Sequence, residues 1–235
     1  MVFTVLLPPT VGKLGSLEAN VRQQHKKAKR LFGFLLAYGV VSVMSAGLAV
    51  TVLLEEELHD VVSLSIPELV RLEELVSRGE MIYAVGWAVS IATGLLFLVW
   101  IRQAYLNLLV WKAEGLKYSE RQAVWAFFVP FLNLFRPYQI MCEIWSGSEF
   151  HGTRTEEESR PFIEFWWAFW IVGLFSARWL PGNTGYSVEV LSSDIQWSIF
   201  ASGFNVILVC LTYQVVRRID QLQMARLSPT MRESS

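Results

Sequence analysis

Three stretches without a charged side chain set the terms for this chain. Leu31 to Leu54 runs 24 residues, Met81 to Ile101 runs 21 and Ile195 to Val216 runs 22, each bounded by charge. A helix rising about 1.5 Å per residue needs about 20 apolar residues to cross a hydrocarbon layer about 30 Å thick. All three meet that length. With no water in the layer, every backbone N–H and C=O must be bonded within the segment, so the stretches have to be helices. A fourth stretch, Pro161 to Leu180, is 20 residues long and rich in aromatics (Trp166, Trp167, Phe169, Trp170). Its Glu164 and Arg178 stand near the two ends, where long charged side chains reach water. The expected class is therefore all-α: a polytopic membrane protein of four transmembrane helices. Composition agrees, with 53% hydrophobic residues and mean hydropathy +0.39.

The stretch from Gln122 to Phe135 reads differently. It has only 14 residues between Arg121 and Arg136 and carries Pro130. That favours a Pro-broken interfacial or re-entrant segment over a span. The charge distribution supports the same division. Residues 1–30 hold six Lys and Arg, segment 102–121 four, and the tail from Arg217 another four, whereas segment 55–80 carries eight acids and two basic residues. Basic segments stay on the cytoplasmic side. Four spans with both termini inside place every basic segment there. The expected organisation is a basic cytoplasmic segment (1–30), a four-helix membrane domain (31–218) and a cytoplasmic tail (219–235). The spans fall at about 31–54, 81–101, 161–180 and 195–216, with an interfacial part at 122–145 and an outer acidic loop at 55–80.

Within the second span, Gly86, Ser90 and Gly94 repeat at four-residue spacing. Small residues on one face let helix backbones approach closely, which matters where lipid removes the hydrophobic incentive to pack. Intramolecular packing and a homodimer face both fit. Asn205 lies near the middle of the last span, where an amide needs a partner. It is either interhelical glue or a substrate contact. Glu164 stands in the first turn of a helix opening at Pro161, suited to the positive helix end. Its sharper reading is an intramembrane carboxylate paired with Arg102 or Arg136, so Glu164 and Asn205 form a candidate polar site.

Between the second and third spans lies a richer stretch. Arg102, Gln103 and Asn107 add polar groups to a helical face continuing past the second span. Trp125, Pro130, Asn133, Arg136 and Pro137 follow in an aromatic run broken by two prolines. Pro130 frees an upstream carbonyl, so Asn133 or Arg136 is expected to supply a partner. After it, Pro137, Ile140, Met141, Ile144 and Trp145 share one helical face, with Gln139 and Glu143 off it, the pattern of an amphipathic cytoplasmic helix. Arg102, Asn107, Trp125, Pro130, Asn133, Arg136, Pro137, Glu143 and Trp145 are the candidate partner- or lipid-binding residues.

These residues carry a resemblance. Arg102, Tyr105, Asn107, Gly115, Trp125, Pro130, Asn133, Pro137, Glu143, Trp145, Trp166 and Trp167, with the Val-Arg-Arg-Ile-Asp-Gln run at 216–221, resemble the bacterial membrane family catalogued as domain of unknown function 4328. The likeness covers roughly residues 81 to 223. It implies a four-helix membrane domain and no activity. Some members carry a Cys-rich N-terminal ribbon; this chain has no Cys before Cys142, so no such zinc module is expected.

Other chemistry finds little footing. Two Cys and three His are too few and scattered for a metal cluster, so neither metal nor cofactor is expected. The run Glu55-Glu56-Glu57-Leu58-His59-Asp60 lacks the glycine and alternating oxygens of a calcium loop and reads as a solvated charge run. No nucleophile elbow, zinc-protease helix, phosphate loop or dinucleotide fingerprint occurs, and no span contains His or Asp, so an enzyme is not expected. Arg22, Lys26, Lys27, Lys29 and Arg30 suit a membrane-surface anchor for acidic lipids, at roughly 1 kcal/mol per charge, and nothing resembles a nucleic-acid reader. The expected protein is a non-enzymatic, partner- or lipid-binding module of the bacterial inner membrane, with an unidentified protein or a homo-oligomer as partner. The competing expectation is an oligomeric small channel or transporter.

Overall fold

The structure, a computed structural model, describes residues 11–58, 66–113, 115–149, 156–176 and 188–232. These are all-α. Helix α1 runs Val11–Leu58, α2 Ile66–Val110, α3 Glu120–Trp125, α4 Arg136–Ser148, α5 Glu156–Ser176 and α6 Val188–Arg232, with a 3₁₀ turn at Leu132–Leu134. Helices α1, α2 and α6 hold 48, 45 and 45 residues. At about 1.5 Å per residue each is roughly 70 Å long, more than twice a hydrocarbon core. Their apolar portions, within Ser16–Val52, Glu73–Val110 and Ile195–Leu227, are long enough to cross a membrane. The apolar part of α5, Pro161–Phe175, is shorter. Residues 177–180, expected to complete it, lie outside the described residues, as do His59, Asp60 and His151.

Two boundaries differ from expectation. The outer 55–80 segment, expected as a loop, is helical from Ile66 and continuous with the second apolar stretch, and Glu74 pairs with Arg78 at 2.6 Å across one turn. Helix α5 begins at Glu156 rather than Pro161, so Glu164 stands in its third turn.

The 122–135 stretch holds no long helix. Ser119 caps α3 in a capping box with Gln122, and α3 ends after six residues. Turns lead through Pro130 to the 3₁₀ turn and α4. The Val129 carbonyl, next to Pro130, accepts the Asn133 backbone N–H at 2.8 Å. Helix α4 buries Pro137, Ile140, Met141, Ile144, Trp145 and Ser148.

The chain forms two compact units. The first comprises Met1–Leu31, Leu95–Trp167 and Gln214–Ser235; the second comprises Phe32–Gly94 and Ala168–Tyr213. In the first, Phe97 stacks on Trp100, meets Phe127 edge to face and tilts against Trp166. Leu17, Val21 and Leu227 cluster there with Trp111 and Met224. Gly147 lets α4 approach α2: a Cβ on it would lie 3.0 Å from Leu108. In the second unit, Phe169 stacks on Phe204 and Phe32 tilts against Tyr213. Its outer surface is apolar, including Leu36, Val43, Met44, Trp87 and Ile91.

Candidate functional site

The first unit buries a chain of amides. Asn107, fully buried, donates from Nδ2 to Gln24 Oε1 at 2.6 Å and to Gln223 Oε1 at 2.8 Å. It thereby joins α2 to both α1 and α6. Gln103 Nε2 donates to Asn107 Oδ1 at 3.4 Å, and Lys27 Nζ donates to Gln103 Oε1 at 2.8 Å. Gln223 Nε2 reaches the Ser148 hydroxyl at 2.9 Å and the Ala104 carbonyl at 3.3 Å, tying in α4. Beside them His25 Nδ1 lies 2.7 Å from Asp220 Oδ2, and Arg226 donates to the Gly147 carbonyl while lying over the Trp111 ring. Buried amides joined this way are costly to separate, since each lost partner leaves a desolvated donor or acceptor. Gln24 Nε2 and Asp220 Oδ1 are buried without a hydrogen-bond partner.

A cavity of about 540 Å³ adjoins α4 in this unit. Tyr118, Tyr138, Gln139, Cys142, Glu143, Trp145, Ser146, Glu149 and Ile163 line it, with Gly115 and Lys117. Gly115 turns the chain with φ 78°, a left-handed conformation that glycine adopts freely. The Tyr105 hydroxyl donates to Glu143 Oε2 at 2.8 Å and accepts the Tyr118 N–H at 3.0 Å. The Lys117 N–H meets the same carboxylate oxygen at 3.4 Å. Trp145 Nε1 donates to Glu149 at 3.0 Å, Tyr138 donates to Glu164 at 3.2 Å, and Tyr118 donates to Gln139. Burial, followed by the neighbouring Cys142 and Glu164, pushes the Tyr138 phenol up to about 12, so it remains a neutral donor.

The sequence candidates fall as follows. Asn107 is the hub of the amide chain, while Arg102 is exposed. Glu143 and Trp145 line the cavity, and Pro137 is a buried residue of α4. Arg136 lies 5.8 Å from the Tyr118 ring centroid. Trp125 and Pro130 are exposed, and Asn133 Oδ1 is buried without a partner. Glu164 is exposed and takes the Tyr138 hydroxyl. Sequence reasoning missed Gln24, Gln223, Ser148, Tyr118 and Tyr138. The legible signal was weak: Gln24 to Lys27 and Asp220 to Gln223 repeat at three-residue spacing in otherwise charged helices.

In the second unit Gly86, Ser90 and Asn205 line a separate cavity of about 320 Å³ with Tyr38, Ser42 and Ser202. None of its lining residues is charged. Of the small residues, Gly86 leaves ordinary contact distance to Val41 (3.4 Å), whereas a Cβ on Gly94 would meet nothing within 4 Å. Among the described residues, no group of three His, Cys, Asp or Glu is placed to hold a metal.

The class defined is an all-helical protein, among the described residues, with three helices long and apolar enough to cross a membrane. The chain belongs to the family described as a domain of unknown function (DUF4328), which matches residues 67–221. No curated protein and no solved structure matches it.

Proposed function

We propose that this chain is a non-enzymatic module of the bacterial inner membrane, crossing it four times with both termini cytoplasmic, whose 122–135 segment enters the inner-leaflet interface and whose junction binds lipid headgroups. One observation carries the reading. Trp125, Phe128, Phe131 and Phe135 are 64%, 57%, 83% and 67% exposed within eleven residues of broken helix, although Phe97, Trp100, Tyr105, Trp145 and Trp166 of the same unit are buried. Four such rings left in water are unfavourable by about 2 kcal/mol each, and an interface relieves that. Against roughly 1 kcal/mol for each surface Lys or Arg near acidic lipid, ring insertion is the larger contribution and the basic N-terminal charges assist it.

The test is a nitroxide at position 131, in a Phe131→Cys chain with Cys142 and Cys210 replaced, reconstituted in vesicles. Collision with oxygen exceeding collision with a water-soluble relaxant is expected; the reverse sinks the reading. A membrane-impermeant label at Ser146, on the exposed side of α4, is expected to react only from the cytoplasmic side.

A second reading, a solute pathway built by several protomers, draws support from the Asn205 amide, which has no hydrogen-bond partner among the described residues and lines the neutral cavity. The uncharged lining favours a neutral solute over an ion. Flux of small neutral solutes into proteoliposomes, lost in Asn205→Leu, is its test.

A further inference from the structure

We infer that the 540 Å³ cavity of the first unit receives a phosphoethanolamine group, with its ammonium inside and its phosphate on Arg136. The volume lies within the span of small-ligand sites, roughly 300–1,000 Å³. Its lining sets two carboxylates, Glu143 and Glu149, against one basic side chain, Lys117, and adds the rings of Tyr118, Tyr138 and Trp145, a balance that favours a cation. Ring faces attract ammonium groups, and two carboxylates repel a phosphate from the interior.

Glu143 is the most specific feature. Its Oε2 is held by the Tyr105 hydroxyl and the Lys117 N–H, while its Oε1 accepts no hydrogen bond from the described residues. The carboxylate is thus oriented by one oxygen and offers the other. A primary ammonium carries three donors and satisfies that oxygen; a trimethylammonium has none and leaves it unbonded. The anion partner stands beside the cavity. Arg136 lies over Tyr118, itself a lining residue, and makes no ion pair with the described residues. A guanidinium free of carboxylates is suited to a phosphate in two-point contact. The two-carbon spacer of ethanolamine links the two charges.

The group reaches the site on a phospholipid or on a soluble phosphoester, and only the lipid source rests on the membrane reading above. The experiment uses the full chain in detergent. Native mass spectrometry reports retention from an equimolar mixture of phosphatidylethanolamine, phosphatidylcholine and phosphatidylglycerol. Tryptophan fluorescence follows titration with O-phosphoethanolamine, ethanolamine and inorganic phosphate. The ethanolamine group is expected to be preferred over choline by about tenfold, the size of one charged hydrogen bond. Glu143→Gln, which keeps an acceptor for Tyr105, is expected to erase that preference. Arg136→Gln is expected to weaken binding of O-phosphoethanolamine to the level of ethanolamine alone. Glu149→Gln serves as the second cavity variant if Glu143→Gln lowers the unfolding temperature.

Binding of O-phosphoethanolamine without lipid preference supports the cavity assignment with a soluble source; preference among lipids alone supports it with a lipid source. Equal retention of choline and ethanolamine lipids together with no binding of O-phosphoethanolamine, preference for phosphatidylglycerol, or cavity variants that behave as the parent overturn it. The failures are separable. A lipid-immersed label at position 131 with neither headgroup preference nor binding of O-phosphoethanolamine removes only this inference. A water-exposed label with Glu143-dependent binding of O-phosphoethanolamine removes only the membrane reading.

Discussion

In the second unit the buried hydroxyls bond mainly back to their own helices. Ser42 donates to the Tyr38 carbonyl, Thr93 to Val89 and Thr212 to Leu208, each one turn upstream. In the first unit the buried amides bond outward, and Asn107 joins α2 to both α1 and α6. The two regions are made of the same long helices but face different tasks. Where lipid is the solvent, a hydroxyl satisfied within its helix imposes no partner, and packing rests on shape. A hub bonded to three helices fixes which side chains meet, because any other arrangement strands several desolvated groups. The first unit therefore has its register specified by chemistry and the second by fit.

That contrast can be broken most sharply at its hub. Asn107→Leu removes two donors and leaves the Gln24 and Gln223 oxygens buried and unpaired, so a loss of about 3 kcal/mol is expected, read as a fall in unfolding temperature in detergent. A wild-type melting curve would show the amide chain to be incidental. Gly147→Val drives side-chain carbon into Leu108 and is expected to destabilise by about 2 kcal/mol, again by thermal unfolding, with no rescue from lipid. Thr93→Val, in the second unit, costs about 0.5 kcal/mol, since its short bond is to Val89 of its own helix and its contact with the Phe34 carbonyl of α1 is long, at 3.4 Å. Gly94→Ala meets open space and gains helix propensity, so a shift of about 0.5 kcal/mol toward stability is expected. Smallest is an optical effect: the alkaline difference spectrum between the parent chain and Tyr138→Phe shows a tyrosine ionising near 12 rather than 10. The neutral phenol is the form favoured by folding, so this contribution is intact below 10 and disappears as pH rises through 12.

Much of the architecture is visible in the residues themselves. Uncharged runs of more than 20 residues announce the long helices, and Pro130 with charges on either side announces the broken segment. The helix starts at Ile66 and Glu156 were less visible, because Pro at or near a helix start is compatible with either side of the boundary. Of the candidate site, Asn107, Glu143 and Trp145 stand out as polar or aromatic groups beside apolar stretches. Gln24 and Gln223 do not: glutamine in a charged helix looks like any solvated position until a partner arrives from a distant part of the chain.

The sequence by itself determines the all-α class, the three stretches long enough to cross a membrane and the family, since each depends on residues near one another in the chain or on a linear pattern. Only the tertiary structure decides that Gln24, Asn107 and Gln223 share one bonded cluster, that Glu143 is oriented by Tyr105, and that Arg136 lies over Tyr118. Those pairs are separated by 18 to 116 positions. Period and composition report which face a residue occupies on its own helix; which other helix that face meets is set by packing and by the cost of leaving an amide alone.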